Sequence, residues 1–266
     1  MVAIRRLTLL VSLCSLTFGQ KVTFEAVPPA IIEGRLRLAP KKQADREPTL
    51  EELFRQVGCS DSLTTQPVKG QKSPNLVCVL PGKGPGEIII GAHFDLRNSQ
   101  GVVDNWSGAA LLASLYQSLK NKQLNHNLVF VGFTAEEQGL LGSEAYVKKN
   151  SLENTRAMVN LDTLALSDTK VEVSGSDPAL MNLLDAIARG MNLPIAGVNV
   201  SKVGRTDAQS FRQKKIPTLS IHTLTQETLP ILHNYRDSFE AVHMDAYYRT
   251  YRLMAAFLAY LDLKLD

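Results

Sequence analysis

The segment VFVGFTAEEQG, residues 129–139, combines an apolar run with two adjacent carboxylates. The run over 128–133 is short, rich in β-branched and aromatic side chains and bounded by polar residues, which predicts a buried strand. Glu136 and Glu137 follow the carboxyl end of this strand, where open α/β sheets hold their ligand crevices. Because adjacent buried acids destabilise a fold unless a cation or a proton transfer uses them, the segment predicts a charged functional site.

Three further strand-like runs also end in side chains that can bind metal ions. These runs and side chains are 87–92 with His93 and Asp95, 156–161 with Asp162, and 217–221 with His222 and, one loop later, His233. Asp104 lies in a turn-like segment over 101–108, which has glycine at both ends and precedes a helical run over 109–119. Histidine and carboxylate donors without cysteine suit zinc or a neighbouring divalent ion.

Each of these features also has an ordinary structural explanation. A His-x-Asp pair is commonly a hydrogen-bonded surface pair, and Asp104-Asn105 fits a turn or a helix N-cap. Glu136-Glu137 fits the first turn of a helix, where acids interact favourably with the helix dipole. These explanations do not account for the recurrence of such residues at successive strand ends, and that recurrence favours a metal site.

The order of the motifs resembles that of peptidase family M28, a family of zinc aminopeptidases. The motifs are His93-x-Asp95, Gly-x-x-Asp104-Asn105-x-Ser-Gly, Glu136-Glu137-x-Gly-x-x-Gly-Ser, Asn-x-Asp162 and His233-x-x-x-Asp237. The block Phe-x-Ala-Glu-Glu-x-Gly-x-x-Gly-Ser over 133–143 is the most specific of them, and His-x-Asp is the weakest. The resemblance extends from about Leu76 to the C-terminus.

The resemblance implies a site with two zinc ions and a water molecule that the ions activate. The implied ligands are His93 and Asp162 for one ion, Glu137 and His233 for the other, and Asp104 as a bridge between them. Glu136 would then act as the general base. Asp95 would accept a hydrogen bond from the ring of His93 and fix its tautomer, and Asp237 would orient His233 in a similar way.

One tripeptide departs from the family pattern, and one ligand assignment has a competitor. The tripeptide over 206–208 is Thr-Asp-Ala, where members often carry Ser-Asp-His. His222 competes for the last ligand position because it lies directly at a predicted strand end. The match of His233 and Asp237 to the family motif favours His233.

The alternation of strands and amphipathic helices predicts a three-layer α/β/α sandwich with a mixed, mostly parallel central sheet. The predicted divisions are a signal peptide over 1–19, an N-terminal extension over 20–58 that packs on the catalytic domain, and an M28-like peptidase domain over 59–266. The charged segment 40–48 is expected to be an exposed connector before a helix at 49–57.

The N-terminus has the features of a targeting segment. Two arginines precede an apolar run over 7–18 that is too short to span a membrane stably, which indicates a signal peptide cleaved after Gly19. The expected protein is therefore exported, either secreted or periplasmic, without stable membrane insertion. Cys59 and Cys78 remain after cleavage and are expected to form a disulfide in an oxidising compartment, with two unpaired buried thiols as the alternative.

The expected activity is the removal of N-terminal residues from peptide substrates by an exported zinc exopeptidase. Three alternatives stay open: a carboxypeptidase that holds the substrate carboxylate with Arg205 or Arg236, a glutaminyl cyclase that uses a single zinc, and a non-catalytic binding protein. The formal net charge of +3 falls to +1 without the two arginines of the signal peptide. With no basic stripe interleaved with aromatic residues, a nucleic-acid partner is not expected, and the oligomeric state is left open.

Overall fold

The computed structural model describes residues 23–97, 99–199 and 204–265. The predicted signal peptide lies outside the described residues. The helices are α1 (Pro29–Arg37), α2 (Gln43–Gln56), α3 (Ser107–Leu119), α4 (Leu141–Lys149), α5 (Pro178–Gly190), α6 (Ala208–Arg212) and α7 (Met244–Lys264). The strands are β1 (Leu63–Gln66), β2 (Asn75–Leu80), β3 (Glu87–His93), β4 (Asn127–Phe133), β5 (Thr155–Leu161), β6 (Lys170–Glu172), β7 (Ala196–Val198) and β8 (Thr218–His222).

The eight strands of the described chain form a mixed sheet in the order β1-β2-β4-β3-β5-β8-β6-β7. The central strands β4, β3, β5 and β8 are mutually parallel, so their carboxyl ends meet at one edge of the sheet. Antiparallel pairings occur between β1 and β2, between β2 and β4, and between β6 and β8. The predicted mixed sheet is therefore confirmed.

Both faces of the sheet are buried, which gives the three layers. In β4, Leu128 and Phe130 belong to the larger hydrophobic core, whereas Val129 and Val131 belong to a second core on the opposite face. This follows from the two-residue period of a strand, because consecutive side chains point to opposite faces. Side chains of α1, α2, α3, α5 and α7 contribute to the larger core, and side chains of α4 and α6 contribute to the second. The predicted α/β/α sandwich is confirmed.

The charged segment 40–48 is mostly exposed, as expected, but the expectation of a connector was wrong because most of the segment is helical. Helix α2 already begins at Gln43 and contains Pro48 in its second turn. A proline there removes one intrahelical hydrogen bond without ending the helix. The side chain of Arg46 is fully buried, because backbone carbonyl groups of a neighbouring loop accept hydrogen bonds from its guanidinium. The many charged residues of this segment therefore led to the prediction of a connector where a helix packs against the domain.

A disulfide joins Cys59, just after α2, to Cys78 in β2, as the sequence predicted. It ties the N-terminal helices to the edge of the sheet. Among the described helices, none is long and apolar enough to cross a bilayer.

Candidate metal centre

The carboxyl ends of the four central parallel strands border a pocket of about 240 Å³. His93 is the last residue of β3, and Asp162 directly follows β5. The loop after β4 carries Glu136 and Glu137, and the long connection after β8 carries His233. The five predicted ligands and the predicted base all line this pocket: His93, Asp104, Glu136, Glu137, Asp162 and His233.

Asp104 lies between the two histidines at the centre of the pocket. Its Oδ1 atom is 3.2 Å from His93 Nε2, and its Oδ2 atom is 3.2 Å from His233 Nε2. A further acid faces the same ring nitrogen of each histidine: Asp162 Oδ1 is 3.8 Å from His93 Nε2, and Glu137 Oε1 is 3.2 Å from His233 Nε2. One carboxylate thus faces two separate ligand groups, the arrangement that a bridging ligand requires.

Asp95 connects the first histidine with the glutamate pair. Its Oδ1 atom is 3.3 Å from His93 Nδ1, on the side of the ring that faces away from Asp104. The same carboxylate accepts hydrogen bonds from the backbone N–H groups of Glu136 and Glu137, each at 3.1 Å. Asp95 therefore lies beside the ring of His93 and binds the turn that carries both glutamates.

The loop that carries Asp104 is held by a second buried acid. Asp237 accepts hydrogen bonds from the N–H groups of Val103 at 2.6 Å and Asp104 at 3.3 Å, and from the hydroxyl of Ser99 at 3.3 Å. The sequence had suggested that Asp237 orients the ring of His233. Its hydrogen bonds instead fix the backbone of Asp104. Asp237 therefore positions the central carboxylate and not the ring of His233.

Asn105 joins this loop to the neighbouring strand β5. Its side-chain N–H donates to Leu161 O at 2.8 Å, while its Oδ1 atom accepts from the N–H groups of Gly108 at 2.9 Å and Thr163 at 3.2 Å. The capping role suggested for this residue is present, since Gly108 lies in the first turn of α3. The additional bonds to β5 fix the position of Asp104 relative to Asp162.

Four carboxyl groups, three histidines and two arginines line the pocket. Burial raises the pKa of Glu136 to about 10, and burial together with the charge of Asp104 raises the pKa of Glu137 to about 7. For Asp104, burial acts in the same direction, but hydrogen bonds to His233 and His93 outweigh it and hold its pKa below the usual range. Burial lowers the pKa of His93, but its bonds to neighbouring acids outweigh that effect and raise it well above normal.

The donor set fits zinc. His93, Asp104 and Asp162 each offer one ligand atom within 4.8 Å of the others, and so do Asp104, Glu137 and His233. The Oε1 atom of Glu137 is buried and lacks a hydrogen-bond partner among the described residues, as expected of an atom that serves a cation. Imidazole nitrogens and carboxylate oxygens are zinc ligands, and a bound cation would stabilise the ionised form of these crowded acids.

His222 does not join either ligand group. It is buried at the end of β8 and borders the same pocket, but both ring nitrogens lack a hydrogen-bond partner within the described chain. Of the two arginines considered for a carboxypeptidase, Arg205 lines the pocket. Arg236 donates hydrogen bonds to Pro230 O and Asn234 instead. Arg97 also lines the pocket, with its guanidinium 4.0 Å from Glu137 Oε2.

Two buried charged residues near the site were not identified from the sequence. Asp207 is almost fully buried, and burial raises its pKa to about 7 close to the charges of Asp95 and Asp162. Its place in a tripeptide that resembles a family motif was the available signal. Arg46 supports the Asp104 loop from α2, and no motif marked it, because only the fold brings it to that loop.

Residues 75–258 match the family described as peptidase family M28. Aminopeptidase YwaD of Bacillus subtilis is 26% identical over 195 residues, which cover 67% of this chain and 41% of that protein. A probable zinc metalloprotease of Pyrenophora tritici-repentis is 36% identical over 101 residues, 34% of this chain and 23% of that protein. The chain thus spans less than half the length of these curated relatives.

Two solved structures show the same fold. The LapA aminopeptidase of Legionella pneumophila has a TM-score of 0.74 at 20% identity, covering 94% of this chain and 79% of that one. A glutaminyl cyclase from an Acidobacteriales bacterium has a TM-score of 0.75 at 16% identity, covering 92% of this chain and 99% of that one. At these identities the likeness extends to the architecture alone.

Proposed function

The chain belongs to peptidase family M28, and we propose that it is a zinc-dependent exopeptidase that removes N-terminal residues from peptides. The observation that carries this proposal is the convergence of five ligand side chains on two groups that share Asp104. A fold alone would not require these acids and histidines to meet in one pocket. The aminopeptidase named among the relatives, which matches 67% of this chain, supports the same activity.

The two ligand groups support a centre of two zinc ions. His93 and Asp162 would hold one ion, and Glu137 and His233 the other, with Asp104 shared between them. When bound, zinc would supply a Lewis acid for the scissile carbonyl and would make a water molecule a better nucleophile.

Glu136 is the side chain best placed for proton transfer. It lines the pocket, belongs to neither ligand group, and is held by the hydrogen bond from its own N–H to Asp95 at 3.1 Å. In the proposed reaction its carboxylate takes a proton from the attacking water and delivers it to the nitrogen of the scissile bond, which becomes the new amino terminus of the shortened peptide. The carboxylate of Asp95 that binds the N–H of Glu136 also lies beside His93, so Glu136 is placed close to this proposed ligand.

Glu136 and Glu137 support recognition of a free amino terminus. They line the pocket together with Arg97 and Arg205, so the α-ammonium group of a substrate would be attracted to these two carboxylates and not to the pocket as a whole. An acylated terminus would lack that charge, and this difference supports cleavage of one residue at a time from the N-terminus.

A carboxypeptidase is the second candidate, because Arg205 and Arg97 line the pocket. A guanidinium group binds a carboxylate through paired hydrogen bonds, so either arginine could hold the C-terminus of a peptide. Arg97 already lies 4.0 Å from Glu137, which leaves Arg205 as the better candidate for that role. A glutaminyl cyclase shares the fold and remains the third alternative.

We also propose that the protein is exported. The apolar segment behind two arginines at the N-terminus supports a signal peptide. The Cys59–Cys78 disulfide agrees with an oxidising compartment.

The test is a panel of aminoacyl-p-nitroanilides, each presented with a free and an acetylated amino group, with and without a chelator. A C-terminally free and a C-terminally amidated peptide, and a peptide with N-terminal glutamine, complete the panel. We expect chelator-sensitive cleavage of the free-amine substrates only. Cleavage that requires a free C-terminus instead would establish a carboxypeptidase, and ammonia release with ring closure of the glutamine peptide would establish a cyclase.

A further inference from the structure

Helix α2 lies outside the segment that matches the family, yet it contacts the loop that carries the central ligand. This ligand loop comprises residues 94–97 and 99–106, between β3 and α3. It holds Asp95 near its beginning and Asp104 near its end. We propose that Arg46 and Gln43 of α2 are positioning residues that fix the ligand loop for metal binding. The inference rests on the proposed function in one respect, the role of Asp104 as a metal ligand.

Arg46 binds the backbone of the ligand loop at both ends. Its guanidinium donates to Phe94 O at 3.1 Å, to Gln100 O at 2.7 Å and to Gly101 O at 2.8 Å. Its Nε atom donates to Pro40 O at 3.1 Å, which ties the guanidinium to the chain that precedes α2. The side chain is fully buried. One planar group therefore spans the distance between the start of the loop and the turn before Asp104.

Gln43 adds a contact at a different point of the ligand loop. Its side-chain Oε1 accepts a hydrogen bond from the N–H of Leu96 at 3.1 Å. Gln43 and Arg46 are three residues apart and therefore lie on one face of the helix. Two side chains of one helix thus bind the loop backbone, one as an acceptor and one as a donor.

The ligand loop is held between opposite charges. Arg46 binds carbonyl groups of the loop, while Asp237 binds the N–H groups of Val103 and Asp104. The positive charge of Arg46 also interacts with the charges of Asp237, Asp95 and Asp104. The carbonyl groups that bind Arg46 thus face a positive charge and the N–H groups that bind Asp237 face a negative one, and these contacts restrict where Asp104 can lie.

The space around the guanidinium is closely fitted. A Cβ atom added at Gly101 would lie 2.7 Å from Arg46 Nη2, and the φ angle of Gly101 is +57°. The aromatic ring of Trp106 has its centroid 5.6 Å from Arg46 Cζ, within range of a cation–π interaction. A lysine would keep the positive charge but could not present the planar fork to several carbonyl groups at once.

The experiment compares zinc binding and amide exchange in four full-length variants. Arg46→Ala removes the guanidinium, Arg46→Lys keeps the charge, and Gln43→Ala removes the contact to Leu96. Leu53→Ala is the matched control, because Leu53 is buried in the same helix and belongs to the hydrophobic core. Zinc affinity is measured by competition with a chromophoric chelator at a temperature where each variant is folded, and hydrogen exchange is followed in the ligand loop without metal.

We expect Arg46→Ala and Arg46→Lys to weaken zinc binding at least tenfold and to speed exchange in the ligand loop. Gln43→Ala is a milder change because Gln43 is only half-buried. This variant should stay folded and should weaken zinc binding about threefold. Guanidinium ions at low millimolar concentration should restore part of the affinity of Arg46→Ala. Leu53→Ala should lower Tm but leave zinc affinity and loop exchange as in the wild type.

Two results would overturn the inference. One is wild-type zinc affinity and loop exchange in both Arg46 variants. The other is a loss of affinity that Leu53→Ala shares in proportion to its loss of Tm, which would assign Arg46 to fold stability alone. If the wild type binds zinc but cleaves no peptide, the proposed function fails while zinc affinity still decides the inference. If the wild type binds no zinc, both the ligand role and the metal part of the inference fail, and loop exchange decides the positioning part.

Discussion

The two candidate ligand groups share Asp104 but are built from different parts of the fold. His93 and Asp162 lie at the ends of buried strands, and the side chain of His93 is only 2% exposed. His233 lies in the long connection after β8, and its side chain is 43% exposed. The interior group is therefore held by the sheet, whereas the outer group depends on a loop. In the proposed two-zinc centre, one ion site would be fixed by the core, and the other would lie where solvent reaches His233.

The contacts that orient the two histidines also differ between the interior group and the outer group. The ring of His93 lies between Asp95 and Asp104, with Nδ1 3.3 Å from the one and Nε2 3.2 Å from the other. The ring of His233 faces Asp104 and Glu137 through its Nε2 atom, both at 3.2 Å. His233 also has a φ angle of +58°, a conformation that non-glycine residues rarely adopt. Orientation of the outer histidine thus depends on the backbone of its loop.

The largest effect is expected from Glu136→Gln, which should leave both ligand groups intact. Loss of the carboxylate removes the proposed base, so kcat should fall by about 10²–10⁴-fold while the zinc content per chain stays unchanged. Steady-state kinetics and metal analysis of the same preparation check this. Glu144→Gln on the surface of α4 is the matched control and should keep wild-type kcat. Near-native turnover in Glu136→Gln would contradict the proposed mechanism.

Removing one histidine from each group tests whether the interior group and the outer group bind zinc independently. His93→Ala should weaken zinc binding by more than about 100-fold, since even changes behind a ligand cost 10–100-fold. It should also destabilise the metal-free fold by about 1–3 kcal/mol, because buried acids lose a hydrogen-bond partner.

His233→Ala should release one ion while the interior group keeps its own, with little change in the Tm of the metal-free protein. Chelator titration followed by metal analysis separates the two cases. His243→Ala, an exposed histidine outside both groups, serves as the control. Loss of both ions in His233→Ala would show that the two groups form a single cooperative unit.

Substitution of the acids that contact the ligand residues should have smaller effects on zinc binding, and these effects should differ between Asp95 and Asp237. Asp95→Asn should weaken the interior group by about 10–100-fold, because the ring of His93 loses the acid beside its Nδ1 atom. Asp237→Asn should weaken both groups, because Asp237 fixes the backbone of the shared Asp104. Isothermal titration of zinc into the metal-free variants measures both. If Asp237→Asn affected only the group of His233, Asp237 would act on that ring after all.

The ligand positions at the strand ends could be predicted from the sequence better than the residues that hold the loops in place. His93 and Asp162 follow apolar runs whose strands are buried on both faces, so the ends of those strands could be located from the sequence. The motif order then placed Asp104, Glu137 and His233 in one pocket, and the structure brings them together there. Their roles as ligands stay predictions.

Contacts between distant segments could not be predicted in the same way. Arg46 and the residues it binds at 94, 100 and 101 are about 50 positions apart, and a charged segment with a proline is typical of an exposed loop. Asp237 was linked to His233 because the two are close in sequence, yet its hydrogen bonds go to Val103 and Asp104. Which acid supports which ligand is set by the packing of loops, which leaves no period or motif in the sequence.

The smallest expected effect is a pH dependence of the stability of the metal-free protein, and it tests the outer group through Glu137. Burial raises the pKa of Glu136 to about 10 and that of Glu137 to about 7, above the unfolded value of 4.5. A raised carboxyl pKa stabilises the fold fully below the unfolded pKa, and this contribution is lost as pH rises toward the folded pKa. The free energy of unfolding of the metal-free protein should therefore fall between pH 5 and 8, by up to about 1.4 kcal/mol per pH unit for each group, and its Tm should fall with it.

Glu137→Gln should flatten this slope most between pH 5 and 7, and Glu136→Gln should flatten it over the whole range. Saturating zinc should make the Tm rise with pH instead of fall, because the zinc ligands bind as deprotonated groups and zinc binding strengthens as pH rises. Differential scanning calorimetry with and without zinc gives both profiles. A metal-free Tm that rises with pH over this range would mean that the buried glutamates are ionised in the folded protein. The crowding of acids around Asp104 would then be compensated by the histidines alone, and the outer group would need no cation for its stability.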